Sequence, residues 1–414
     1  MSASPLSTTQ TGAGQLAAQA PEYAGKAPEV DLPPSRPEVA PEPLGPAPGS
    51  TIWPVMVYAA SRLLLLGVAG LVAIDGQHAI RPEFYLFDAQ WYLKLAEHGY
   101  PTVPLHIKST LGFFPLYPLV IRAVSVVFVI SAPQAALLTS VTGGLVASVL
   151  VHRLVTSWWG EATGRWATLI FCLFPGSIVF SMGYSECLTI PLAVGCLLAL
   201  RSQRWWLAGL LAGLATASEP VALVLIVVCL VASAQQLRRR GWRDPAARRS
   251  LMAPLLSPLG IGGFAVFLWA WTGTPFATYI AQHYGWHEQS QPFALLSLPV
   301  VRSARSSDLI HYAFTWNVWD GILGAIFLVV SIIVLVRLRR ELSTGTLAWT
   351  IGLAAVTLWS VLTPPNARML LVAFPAVLVW GRRLHGWALG VFITVEVLAL
   401  IFTSALTFSG RMLP

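Results

Sequence analysis

The sequence predicts an all-α polytopic membrane protein, and three observations carry that expectation. Of its 414 residues 56% are hydrophobic, only 11% are charged, and long apolar runs recur from about residue 53 almost to the C-terminus. A soluble domain of this size carries roughly a quarter charged residues, so this chain keeps most of its surface out of water. Several function classes lose their usual signatures: no GxxxxGK[ST], HExxH, GxSxG or GxGxxG string occurs. There is also no Asp-x-Asp pair to hold a metal against a nucleotide sugar's diphosphate. The four cysteines, Cys172, Cys187, Cys196 and Cys229, lie in apolar runs without CxxC spacing and read as small buried hydrophobes. No metal centre and no cofactor is expected.

Residues 1–50 hold ten of the thirty prolines and carry two basic and five acidic side chains. Such a Pro/Ala-rich stretch reads as a disordered cytoplasmic tail, without the basic and apolar layout of a cleaved signal peptide. The run from about 53 to 74 then acts as an uncleaved anchor, and residues 51–414 form the transmembrane domain.

The net charge is +8, and the tail contributes −3 of it, so the remainder carries +11. In a membrane protein that excess reports topology before it suggests nucleic acid. The clusters Arg201/Arg204, Arg238 to Arg249, Arg337 to Arg340 and Arg382/Arg383 fit one cytoplasmic side, with Arg153 and Arg165. The near-neutral segments 75–112 and 272–316 are the outer loops. Parity then requires one apolar run not to cross. The choice falls on 113–131, broken near its start by Pro115 and Pro118 and expected to lie at the outer face. The crossings are expected at 53–74, 134–154, 164–182, 184–200, 205–218, 219–236, 251–271, 318–336, 346–362, 367–381 and 386–406, about eleven spans in all.

The richest polar constellation lies in the first outer segment, from Phe87 to Pro101. As a helix ending at Gly99 it places Asp88, Trp91, Tyr92 and Leu95 on one face by i, i+3, i+4 and i+7 spacing. One reading is an interfacial helix with aromatic anchors and a solvated Asp88. The other makes Asp88 a general base beside an aromatic pocket.

The string Phe87-Asp88-Ala89-Gln90-Trp91-Tyr92 with Gly99-Tyr100, followed by Phe113-Phe114-Pro115-Leu116-Tyr117-Pro118, resembles the GPI mannosyltransferase II (PIG-V-like) family. Later stretches fit in the same order: Phe174-Pro175-Gly176-Ser177 with Tyr184-Ser185-Glu186, Trp205 to Gly209 with Leu214-Ala215-Thr216, Gly273-Thr274-Pro275-Phe276 with Gln282 and Trp286, and Pro365-Asn366-Ala367-Arg368 with Phe374-Pro375. The resemblance implies a GT-C glycosyltransferase bundle with outer-face juxtamembrane helices, embedded in the lipid bilayer (the plasma membrane if bacterial). It also implies a polyprenyl-phosphate mannose donor, a glycolipid, glycan or protein hydroxyl as acceptor, and no nucleic acid. Asp88 matches the family's catalytic acid in the first outer loop. The candidate substrate-binding residues are Trp91, Tyr92, Tyr117, Glu186, Glu219, Gln282, His283, Trp286 and Arg368.

Arg368 follows a Pro-Pro-Asn turn, and its guanidinium suits a phosphate; an interfacial arginine reaching lipid head groups is the plainer account. His283 and His287 are spaced for a metal but lack a third ligand, and read as exposed loop residues. Glu186 suits sugar hydroxyls or a helix cap. The family commonly carries Arg where this chain has Glu219 in Ser218-Glu219-Pro220, so an anion replaces a phosphate-facing cation. Glu396 falls mid-span, far in sequence from every motif. A multi-span transporter or flippase, and a non-catalytic binder of lipid-linked sugars, are the alternatives. Concentration of the polar residues at outer helix ends, without internal repeats, favours the enzyme.

Overall fold

The computed structural model describes residues 51–76, 84–288, 316–360 and 364–414. The tail 1–50, residues 77–83 of the first outer loop and 289–315 of the second lie outside them. The described residues form helices joined by turns, with no extended strand among them. The long helices are α1 (Ile52–Asp75), α4 (Ala132–Trp159), α8 (Val224–Arg240), α9 (Pro245–Thr272, interrupted near Ser250 and Ser257), α10 (Trp316–Arg337) and α13 (Gly386–Phe408). Between them lie the shorter α2 (Asp88–His98), α3 (Leu116–Phe128), α5 (Glu161–Leu173), α6 (Glu186–Arg201), α7 (Trp205–Thr216), α11 (Thr344–Trp359) and α12 (Ala367–Val372).

Six helices among the described residues are long and apolar enough to cross a bilayer, or seven if one bent pair counts as a span. Eleven crossings were expected, and proline accounts for much of the difference. The run 164–182 is two pieces bent by 72°, α5 and a 3-10 segment Pro175–Ser181. Pro175 has no amide to donate and drives Phe174 out of helical geometry, to φ −59° and ψ 139°. The run 367–381 likewise splits into Ala367–Val372, Phe374–Leu378 and Trp380–Arg383. The run 113–131, which was not expected to cross, yields the 13-residue α3.

Arg62, half-buried on α1, staples the 72° bend. Its guanidinium donates to the Ser177 carbonyl at 2.7 Å, Ser181 Oγ at 2.9 Å and Ser177 Oγ at 3.0 Å, and lies over the Tyr58 ring. Those bonds replace water around a charge that lipid would not solvate. The bend in turn positions the site. A Cβ on Gly176 would meet the Ala367 carbonyl oxygen at 2.1 Å, and one on Gly324 would meet that of Pro365 at 1.7 Å. Two glycines therefore let the 3-10 segment and α10 close on the chain leading into α12.

Candidate active site

α12 begins where local chemistry dictates. Asn366 accepts a hydrogen bond from the Met369 amide at 3.0 Å, and Asp320 Oδ2 accepts one from the Ala367 amide at 3.2 Å. Arg368 therefore leaves the first turn of α12 in a fixed direction. α2 starts at Asp88, an acidic first-turn residue at the favourable end of the helix dipole. Phe87 before it has φ 57°, a conformation that non-glycine residues adopt only under constraint. α2 stops at Gly99, whose φ of 74° suits glycine.

These elements converge on one ionic group. Arg368 Nη1 donates to Asp88 Oδ2 at 2.8 Å, and Arg368 Nε donates to Glu186 Oε1. The Arg368 guanidinium also lies 4.7 Å above the Tyr184 ring. The Asp88 side chain is 33% exposed, Arg368 14% and Glu186 0%. The cation thus stands between a wholly buried carboxylate behind it and an accessible one in front. Glu186 Oε2, Tyr184 Oη and Glu219 Oε1 are buried hydrogen-bonding atoms without a partner. Glu219 occupies the turn before Pro220, brought near by a hydrogen bond from the Leu116 amide to the Ala217 carbonyl at 2.9 Å. Burial first, then the charge of Glu186, pushes its carboxyl up to about 8.

Beside the ionic group stands an aromatic wall. Tyr92 shares a 2.8 Å hydrogen bond with Ser185 and packs edge-on against Phe113 and Tyr117. Tyr117 is fully buried behind it, with Oη on Ser140 at 2.9 Å. Trp91 stacks with Phe113 and meets Trp286 edge-on at 4.9 Å. Trp286 is fixed because its indole N–H donates to the Ser109 carbonyl at 3.1 Å, while Gln282 donates to the Gly112 carbonyl at 2.6 Å. Gly285 allows this docking, since a Cβ there would lie 2.4 Å from the Ile107 carbonyl oxygen. Lys108 Nζ sits 4.3 Å over Trp286 and 5.7 Å over Trp91.

The structure therefore brings together Asp88, Glu186 and Arg368 by direct contact, with Glu219 within range of their charges. Trp91, Tyr92, Tyr117, Gln282 and Trp286 form the adjoining wall and its supports. His283 is directed elsewhere, to the Glu288 carbonyl at 3.0 Å and the rings of Tyr279 and Tyr284. Among the described residues no three His, Cys, Asp or Glu side chains gather as a metal-holding group. Tyr184, Ser185 and Phe113 belong to the site but were not among the residues the sequence singled out for it. The signal available was their place inside the strings Tyr184-Ser185-Glu186 and Phe113-Phe114-Pro115.

The family model described as mannosyltransferase (PIG-V) matches residues 59–240. GPI alpha-1,6-mannosyltransferase 2 of Cricetulus griseus is 29% identical over 150 residues, which are 34% of this chain and 29% of that protein. The crystal structure of the apo Archaeoglobus fulgidus oligosaccharyltransferase superposes with a TM-score of 0.50 at 13% identity, covering 87% of this chain and 56% of that one. Apo ArnT from Cupriavidus metallidurans gives a TM-score of 0.45 at 12% identity, covering 87% and 76%. The chain thus spans under a third of the curated relative and just over half of the oligosaccharyltransferase chain. Arg368 lies outside the matched stretch, whereas Asp88, Glu186 and Glu219 lie inside it. The chain is an integral membrane protein with a GT-C-type helix bundle, and over residues 59–240 it is similar to the mannosyltransferase (PIG-V) family model.

Proposed function

We propose that this protein is a glycosyltransferase that moves mannose from a polyprenyl-phosphate carrier to an acceptor hydroxyl on the extracytoplasmic face, with the N-terminus in the cytoplasm. The observation that carries the reading is the Asp88 carboxylate, partly exposed and oriented by Arg368 beside the Trp91/Trp286 wall. The acceptor oxygen attacks the sugar's anomeric carbon while the bond from that carbon to the phosphate oxygen breaks. Asp88 takes the hydroxyl proton, and the anomeric configuration inverts.

Nε and Nη1 of Arg368 are committed to two carboxylates, so its main work is to position Asp88. The phosphate's developing charge falls instead to Lys108, held over two indole rings at the open side of the wall. Glu219, at the position where the family resemblance implies a cation, holds its proton near neutral pH and offers sugar or acceptor hydroxyls a hydrogen bond without adding charge. Glu186 Oε2 and Tyr184 Oη, buried and unpartnered, offer the same to a polyol.

The test is transfer of radiolabelled mannose from polyprenyl-phosphate mannose in membranes carrying the protein. Donor-dependent turnover is expected. Retention of the donor without turnover would favour a non-catalytic binder, and movement of the donor across sealed vesicles without transfer would favour a flippase.

A further inference from the structure

Two carboxyl groups outside the ionic group, Glu396 and Asp320, line one cavity. Glu396 stands on α13 about 15 Å from Gly386, at roughly 1.5 Å of rise per residue, and is 4% exposed. Both of its carboxyl oxygens are buried without a hydrogen-bond partner. Leaving such a group unpaired costs several kcal/mol, and inside a bilayer it marks a functional position by default. Glu396 lines a cavity of about 610 Å3 between α10 and α13. Along α13 the wall runs from Phe392 through Glu396 to Thr403, and along α10 from Asp320 to Phe327. The size falls within the range of small-molecule sites, roughly 300–1,000 Å3.

The chemistry of the wall selects the occupant. Among the described lining residues there is no Lys, Arg or His, while Glu396 and Asp320 are both acidic. A phosphate would be repelled there. An ammonium would bring an unsolvated charge among Phe327, Phe392 and Leu323. Water would find polar partners chiefly at Glu396, Asp320 and Thr403, and the rest of the wall is largely apolar. A hydroxyl on a hydrocarbon body meets every requirement, because it both donates to and accepts from a carboxyl and carries no charge.

We propose that this cavity binds an uncharged lipid alcohol, whose hydroxyl hydrogen-bonds the Glu396 carboxyl and whose chains fill the space between α10 and α13. The lipid also touches Ala367, whose amide is held by Asp320 and whose neighbour is Arg368. An occupied cavity therefore packs against the start of α12 at Ala367 and Leu370.

The experiment is retention of radiolabelled dioleoylglycerol by the purified full-length protein in detergent micelles, a readout independent of sugar transfer. Wild-type protein is expected to retain the label, with competition from unlabelled dioleoylglycerol and none from dioleoyl phosphatidic acid. Glu396→Leu is expected to retain at least about tenfold less. Ala399→Trp, which fills the cavity and leaves the carboxyl in place, is expected to lose the label as well. Glu396→Gln, which keeps hydrogen-bonding capacity, is expected to retain most of it and guards against loss by misfolding. Equal retention by wild type, Glu396→Leu and Ala399→Trp would overturn the proposal, and so would equal competition by phosphatidic acid.

Discussion

Glu186 and Glu396 are the same residue in nearly the same degree of burial, 0% and 4% exposed, yet they do opposite things to the protein. Glu186 starts α6 against Arg368, so its charge is matched and helps hold a second carboxylate, Asp88, in place. Glu396 faces a cavity with no cation among its described lining residues. Burial alone thus does not distinguish a positioning carboxylate from a ligand-seeking one. The partner does, and it comes from α12, more than 180 residues away from Glu186 in the chain.

The largest expected effect follows from removing that partner. Arg368→Met leaves the wholly buried Glu186 carboxylate without its cation, beside the partly exposed Asp88, and should cost about 3–5 kcal/mol of stability and abolish transfer. Thermal unfolding in detergent together with the transfer assay reads both. Retained activity would mean that Asp88 needs no positioning.

Next in size, Glu186→Leu and Glu396→Leu separate the two carboxylates directly. The first should destabilise by about 3 kcal/mol because Arg368 loses its buried partner. The second should leave the lipid-free protein as stable as wild type or more so, since it removes an unpaired polar group. Similar losses in both variants would erase the distinction.

A smaller, kinetic effect is expected at Lys108. Its replacement by Ala should lower kcat/KM by about 10- to 100-fold, a loss of about 1.4–2.7 kcal/mol of transition-state stabilisation, with little change in melting temperature because the side chain is exposed. An unchanged kcat/KM would return the phosphate to Arg368.

The smallest effect is a slope. The Glu219 carboxyl is raised from 4.5 to about 8 in the folded protein, chiefly by burial. Between those values the native chain holds a proton that the unfolded chain releases, so this group makes stability fall as pH rises through that window and adds no further change above it. Glu219→Gln should flatten the decline in melting temperature between about pH 5 and pH 8. Parallel pH profiles for the two proteins would place Glu219 outside the pocket's electrostatics.

Much of this was legible in the residues. The Asp88 helix runs as spacing and Gly99 require, and Tyr92 and Leu95 are buried along the face that i, i+4 and i+7 define. The apolar runs became helices close to their expected places. What failed is instructive: hydropathy counts apolar residues but does not register that Pro175 and Pro375 divide their runs into pieces. The ionic group was invisible for a different reason. Asp88, Glu186 and Arg368 were each noticed, but nothing local records that a Gly176 hydrogen faces the Ala367 carbonyl, the contact that brings Arg368 between the two acids. The same holds for Glu396, whose mid-span position was evident while its cavity, assembled from α10 and α13, was not.

The role of Asp88 as base is tested most directly by Asp88→Asn, which keeps shape and a hydrogen bond to Arg368 but gives up the basic oxygen. Labelled mannose transfer by this variant, with folding verified by an unchanged melting profile, is predicted to fall by about 10²- to 10⁴-fold. Transfer at the wild-type rate would contradict it.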